Sequence, residues 1–131
     1  MRQIKFRAQD IASNKWLYGD LRHHKDDVSI FEQGGNKGEQ VKRDTIGQFV
    51  GLKDKNGKEI YEGDIIRFVD GLKKVNGEWV DNERIYTIEY SEGAFSGVLS
   101  LSKALDAVEV IGNIHDNPEL IKRTISRRID V

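Results

Sequence analysis

His23, His24 and His115 are the only imidazoles in the chain, and Asp20, Asp26 and Asp27 lie close to the first two. Imidazole and carboxylate together are the ligand set of zinc and related divalent ions. The spacing works against a shared ion. Adjacent residues of a strand point to opposite faces, so His23 and His24 do not converge, and no known ligand pattern is present. Carboxylate pairs at Asp26-Asp27, Glu62 with Asp64, and Asp81 with Glu83 have the chemistry for acid–base work. None sits in a motif that would position a second group, and turn or surface roles account for them. Cysteine is absent, which removes thiol nucleophiles, thiolate metal sites and disulfides. Gly93-Ala94-Phe95-Ser96-Gly97 approaches a nucleophile elbow, but its serine is one place out of register for Gly-x-Ser-x-Gly. Gly34-Gly35-Asn36-Lys37-Gly38 has the wrong spacing for a phosphate loop, and no helix follows it. The expectation is therefore no catalytic residue, no metal and no cofactor.

The elements that would carry these residues are mostly strands, because the dominant period is two. Ile4, Phe6 and Ala8 alternate with Lys5 and Arg7. Ser13-Asn14-Lys15 makes a turn, and Trp16 and Tyr18 open a return strand over 15–22. Val28 and Ile30 mark a third strand, and the glycines of 33–39 a loop. Residues 46–52 form a strand with Gly47 and Gly51 inside it. Asn56-Gly57 then predicts a type I′ hairpin, since both residues tolerate positive φ. After a corner at Glu62-Gly63 comes a strand from Asp64, and Asn76-Gly77 links its extension to one running from Trp79 toward Tyr90. Further strands are expected at 98–101 and 108–111, with a helical turn over 102–107. Asp116-Asn117-Pro118-Glu119 is a helix start. Ile121, Ile125 and Ile129 follow at four-residue spacing beside Leu120, giving a short basic amphipathic helix. The alternation of Ile125, Ile129 and Val131 also suits an arm that adds to a sheet edge.

The chain has 131 residues, 37% hydrophobic and 33% charged, with 8% aromatics. That suits one domain with a packed core. The net charge of −1 hides an asymmetry. Residues 1–25 hold six Lys/Arg against two Asp/Glu, 26–116 hold eleven against eighteen, and 117–131 hold four against two. Basic ends and an acidic middle suit contact with an acidic partner or between neighbouring copies. The start, Met1 to Phe6, lacks the apolar run of a signal peptide, and no apolar run is long enough to span a membrane. A reducing compartment is expected.

Three pieces of sequence together resemble a known family. They are Ile4-Lys5-Phe6-Arg7-Ala8 with Asp10, the stretch Gly51-Leu52-Lys53-Asp54-Lys55-Asn56-Gly57-Lys58-Glu59-Ile60-Tyr61-Glu62-Gly63-Asp64-Ile65-Ile66, and Val110 through Leu120. Their order and spacing are those of the YopX family of phage and prophage proteins, although His115 stands where an aromatic, usually Tyr, is common. The resemblance implies a mainly-β fold: an SH3-like barrel preceded by an N-terminal β-hairpin region, in the cytoplasm of a bacterial host. It implies no activity. The motif positions have folding explanations of their own: Asn56-Gly57 serves a turn, Gly63 a corner, and Asp64 accepts backbone hydrogen bonds there.

The reading is a single domain over 1–131, with an N-terminal β subregion at 1–44, a barrel part at 45–121 and a basic tail at 122–131, ending in a short C-terminal helix. It is taken as a non-enzymatic accessory protein that binds a host or phage protein and self-associates as a homo-oligomer, with Ile121, Ile125 and Ile129 as oligomer contacts. Arg2, Arg7, Lys122, Arg123, Arg127 and Arg128 are the expected partner contacts. The alternative is a nucleic-acid-binding small β-barrel using the same cations, with Trp16, Tyr18 and Phe6 stacking bases, which the acidic middle opposes. A third is an enzyme with an unrecognised site. No membrane association is expected.

Overall fold

In a computed structural model the described residues are 3–32, 35–91, 94–95 and 108–120. The chain divides into two compact units, residues 1–51 and 52–131. The first holds β1 (Phe6–Gln9), β2 (Trp16–His24), β3 (Asp27–Phe31), β4 (Gly38–Gln40), a 3-10 turn (Arg43–Thr45) and most of β5 (Gly47–Lys53). The strand order is β4-β3-β2-β1-β5, antiparallel at each of these pairings. Alternation does the sorting: Ala8, Val28, Ile30 and Val41 are buried together, with Phe6, Leu17, Leu21 and Ile46 packed against them. An isolated bridge joins Asp10 to Val41. The Ile11 N–H donates to the Gln40 carbonyl at 3.0 Å, and the Lys42 N–H to the Gln9 carbonyl at 2.9 Å. The end of β4 therefore returns beside the end of β1, and the sheet curls around its own apolar face.

Two local devices set this curl. At the β1–β2 corner the Asp10 carboxylate accepts from the Ser13 N–H and hydroxyl, both at 2.8 Å, and from the Ala12 N–H at 3.2 Å. These bonds, the backbone one from Ser13 first, hold the Asp10 carboxyl below its ordinary pKa. On β2, Gly19 has φ +153°, and a Cβ there would stand 2.1 Å from the Phe31 carbonyl oxygen. Only glycine lets β3 approach so closely.

The second unit holds the end of β5, then β6 (Glu59–Tyr61), β7 (Asp64–Val75), β8 (Glu78–Thr87), β9 (Tyr90–Ser91), β10 (Ala94–Phe95) and β11 (Val108–Asn113). Strands β11-β7-β8 form one antiparallel sheet, and β9 and β10 a separate ribbon. Ile60, Tyr61, Ile65, Ile66, Ile85, Ile88 and Val108 are buried.

One carboxylate organises the turn before β6. Asp54 is 6% exposed. Its Oδ1 accepts from the Asn56 and Lys58 N–H groups, each at 2.9 Å. Its Oδ2 accepts from the Val110 N–H, on β11, also at 2.9 Å. A second carboxylate closes the next corner. Asp64, 1% exposed, accepts from the Tyr61 N–H at 2.7 Å. Gly63, at φ +90°, donates to the Ile88 carbonyl at 2.8 Å, and its own carbonyl accepts from the Ile114 N–H at 2.9 Å.

The mainly-β class read from the alternation is what the structure holds, in antiparallel sheets. The barrel is not seen closed: among the described residues the later part holds the β5–β6 hairpin, a three-stranded sheet and the two-stranded β9–β10 ribbon. The strand expected at 98–101 and the turn at 102–107 lie outside the described residues. Asn76-Gly77 makes the expected link between two strands, with the positive φ values, 52° and 83°, of a type I′ turn. At Asn56-Gly57 only Gly57 has positive φ. A hairpin is there, but the Asp54 side chain gathers its N–H groups, so it is not the type I′ turn the dipeptide suggests. The helix start at Pro118 is seen as one turn over 118–120.

Asp54→Ala is expected to cost roughly 3 kcal/mol in urea unfolding, because it leaves buried N–H groups without their acceptor. Burial opposes ionisation of Asp54, yet the N–H groups of Val110, Lys58 and Asn56 together with the Lys58 charge outweigh it and lower the pKa. Its contribution is thus complete above the unfolded carboxylate pKa of about 3.9 and is lost as pH falls through the lower folded value. Asp54→Asn should flatten that acid limb of the stability curve, and an unchanged limb would contradict the role given to this carboxylate.

Candidate functional site

The residues first suspected of chemistry are dispersed. His23 and His24 are exposed on β2, paired across the hairpin with Val28 and Asp27. Among the described residues no group of three or more His, Cys, Asp or Glu gathers into a metal site, and no helix is long and apolar enough to cross a membrane. The His115 N–H donates to Asn113 Oδ1 at 3.0 Å. The same oxygen accepts from the Asp116 N–H at 2.9 Å, and Asn117 Oδ1 accepts from the Asn113 N–H at 3.2 Å. This stretch shapes a loop. Arg2, Lys122, Arg123, Arg127, Arg128, Ile121, Ile125 and Ile129 lie outside the described residues.

Arg7 is placed otherwise than a phosphate contact requires. It is 5% exposed, and its guanidinium lies over the Trp16 ring, 4.7 Å from the centroid. The register explains this: Arg7 opposes Tyr18 and Gln9 opposes Trp16, so all four share one face. Trp16 is thereby covered by a cation. A groove of about 560 Å³ opens beside it, lined among others by Trp16, Tyr18, Ile30, Glu32, Lys37 and Glu39. Two acids, Glu32 and Glu39, and one cation, Lys37, stand at its aromatic wall.

The feature least explained by folding is the far half of the β7–β8 hairpin. Pairing runs from Ile65 with Thr87 to Val69 with Glu83, then shifts and resumes at Leu72 with Asp81. Two residues of β7 oppose one of β8 there, and Gly71 has φ +74°, which is a β-bulge. Among the described residues β11 accompanies β7 over Asp64–Phe68. Beyond the bulge Leu72, Val75, Trp79 and Val80 are 62%, 45%, 64% and 38% exposed. Residues directly opposite share a face, so Leu72, Lys74, Trp79 and Asp81 form one face, and Lys73, Val75, Glu78 and Val80 the other. The Lys74 ammonium stands 5.2 Å from the Trp79 ring centroid, as that assignment requires. Sequence reading misses this site; its one signal is that the alternation of β7 and β8 mixes apolar and charged residues on both faces beyond Gly71.

Residues 5–122 match the model of the family described as YopX protein, so the chain belongs to the YopX family. Among solved structures it is similar to protein EF1440 from Enterococcus faecalis, at 30% identity and a TM-score of 0.57, over 92% of this chain and 99% of that one. No curated protein matches.

Because Arg7 is buried against Trp16, Arg7→Ala is expected to lower stability by about 1–3 kcal/mol, read by thermal or urea unfolding. A variant as stable as the parent would show that the stacked guanidinium contributes nothing.

Proposed function

We propose that this YopX-family protein is a non-enzymatic protein-binding module that also self-associates, acting as a phage or prophage accessory protein in the cytoplasm of a bacterial host. The observation that carries the reading is the ribbon beyond the bulge. Four apolar side chains stand at its tip, on a hairpin that projects past its last neighbouring strand among the described residues. Exposed aromatic and aliphatic groups rimmed by charge are the composition of a protein interface, and Trp is the residue type most often dominant in one. The charged residues of the ribbon, Lys73, Lys74, Glu78 and Asp81, balance in sign, which suits a protein partner better than a polyanion. The carboxylates that the motif places inside the second unit, Asp54 and Asp64, accept backbone hydrogen bonds.

Capture of partners from bacterial lysate, with and without nuclease, tests this reading. A protein retained in both arms should be lost, by about tenfold or more, in a Leu72→Ser, Trp79→Ser variant whose thermal midpoint is close to the parent's. Capture that vanishes with nuclease, or that ignores these substitutions, would sink it and favour the nucleic-acid alternative or another surface.

A further inference from the structure

We infer that the face of the β7–β8 ribbon formed by Leu72, Lys74, Trp79 and Asp81 docks onto the same face of a second copy, the two ribbons crossing steeply about a twofold axis. The inference rests on the protein-binding reading above and names one partner for its ribbon.

The argument is the arrangement of four side chains. Leu72 opposes Asp81, and Lys74 opposes Trp79 in the next row of the same face. The apolar pair therefore occupies one diagonal of a near-square and the charged pair the other. Successive same-face rows stand about 6.8 Å apart and opposed residues about 5 Å. Lay a second copy face to face. A twofold axis along the ribbon sets Leu72 on the partner's Asp81, and an axis across the ribbon sets Leu72 on the partner's Lys74. Both bury a charge on an apolar group. An axis along the apolar diagonal is different. It sets Leu72 on the partner's Leu72 and Trp79 on the partner's Trp79, and it brings each Lys74 within reach of the partner's Asp81. A closed twofold contact requires such self-complementarity. The stacking of Lys74 on its own Trp79 survives, with the ammonium between the ring and the partner's carboxylate.

The opposite face repeats the pattern with Val75 and Val80 on one diagonal and Lys73 and Glu78 on the other. Its apolar residues are smaller and less exposed, 45% and 38% against 62% and 64%, so the Leu72–Trp79 face has more to gain from cover. Four residues a side fall short of a standard interface of about 800 Å² per partner, so the dimer is weak and forms as concentration rises.

The test is sedimentation or light scattering across a micromolar-to-millimolar series. Wild type should pass from monomer to dimer. Lys74→Glu and Asp81→Lys each place like charges in both cross-contacts and should weaken association by about tenfold or more. An equimolar mixture of the two variants should recover it. In the mixed dimer the glutamate introduced in one chain meets the lysine introduced in the other, and the remaining native Lys74 meets the remaining native Asp81. Lys73→Glu, on the other face, should leave the mass unchanged. All three positions are exposed, and circular dichroism checks that the variants fold. Wild type that stays monomeric, single variants that still dimerise, a mixture that stays monomeric, or loss of the dimer with Lys73→Glu would each overturn the inference. If wild type is monomeric while Leu72→Ser, Trp79→Ser still abolishes lysate capture, the protein-binding reading stands and this inference alone falls.

Discussion

Three backbone N–H groups converge on the carboxylate of Asp54, and much of the second unit's geometry follows from that. Two of the donors, Asn56 and Lys58, belong to the turn that leads into β6, and the third, Val110, belongs to β11. A side chain that satisfies a turn stabilises it locally. One that also accepts from a strand far along the chain fixes where that strand lies. The Lys55 N–H adds a bond to the Val108 carbonyl at 3.0 Å, so the turn and the start of β11 are held from both chain segments. Burial makes the arrangement demanding: it opposes ionisation of the carboxylate, and the three N–H donors outweigh it and hold the pKa down.

Asp64 has the corresponding role one corner later, and the two carboxylates account for much of the family motif without chemistry. Gly63 turns the chain at positive φ, Asp64 binds the Tyr61 N–H, and the backbone of both residues engages Ile88 and Ile114. The C-terminal motif is spent in the same way. Asn113 and Asn117 exchange side-chain and backbone bonds, and a Cβ on Gly112 would stand 2.4 Å from Asn117 Oδ1. A motif whose polar groups are engaged by the fold identifies relatives through their architecture and leaves function to surfaces outside it.

That division also explains what can be read before the structure. The positions of β1, β2 and β3 follow from alternation and those of β5 and β11 from short apolar stretches, and Asn76-Gly77 marks its hairpin correctly because both of its residues adopt the φ values that the dipeptide favours. The same dipeptide at 56–57 is legible as a hairpin and illegible as a turn type, since the deciding acceptor is a side chain two residues earlier. Arg7 misleads for a related reason. On a strand its alternation with Phe6 and Ala8 suggests a solvent face, but the register of β1 on β2 brings Trp16 and Tyr18 to that face, and the ring covers the guanidinium. Charge type is visible in a sequence; cross-strand neighbours are not until register is known.

The ribbon is the least legible part because its meaning lies in a bulge. Without the extra residue at 70–71, the pairing of Val69 with Glu83 would continue in step, and the residues of β7 past Gly71 would meet different partners. The shift pairs Leu72 with Asp81 and Lys74 with Trp79, so each face carries an apolar diagonal crossed by a charged one. A hairpin meant only to cap a sheet gains nothing from holding Trp79 and Leu72 in water, and the turn at Asn76-Gly77 would close equally well over polar residues. Apolar groups on both faces also invite indiscriminate association. The charges that separate them limit it, since a face with a lysine and an aspartate at fixed corners accepts only partners whose charges fall at the complementary corners.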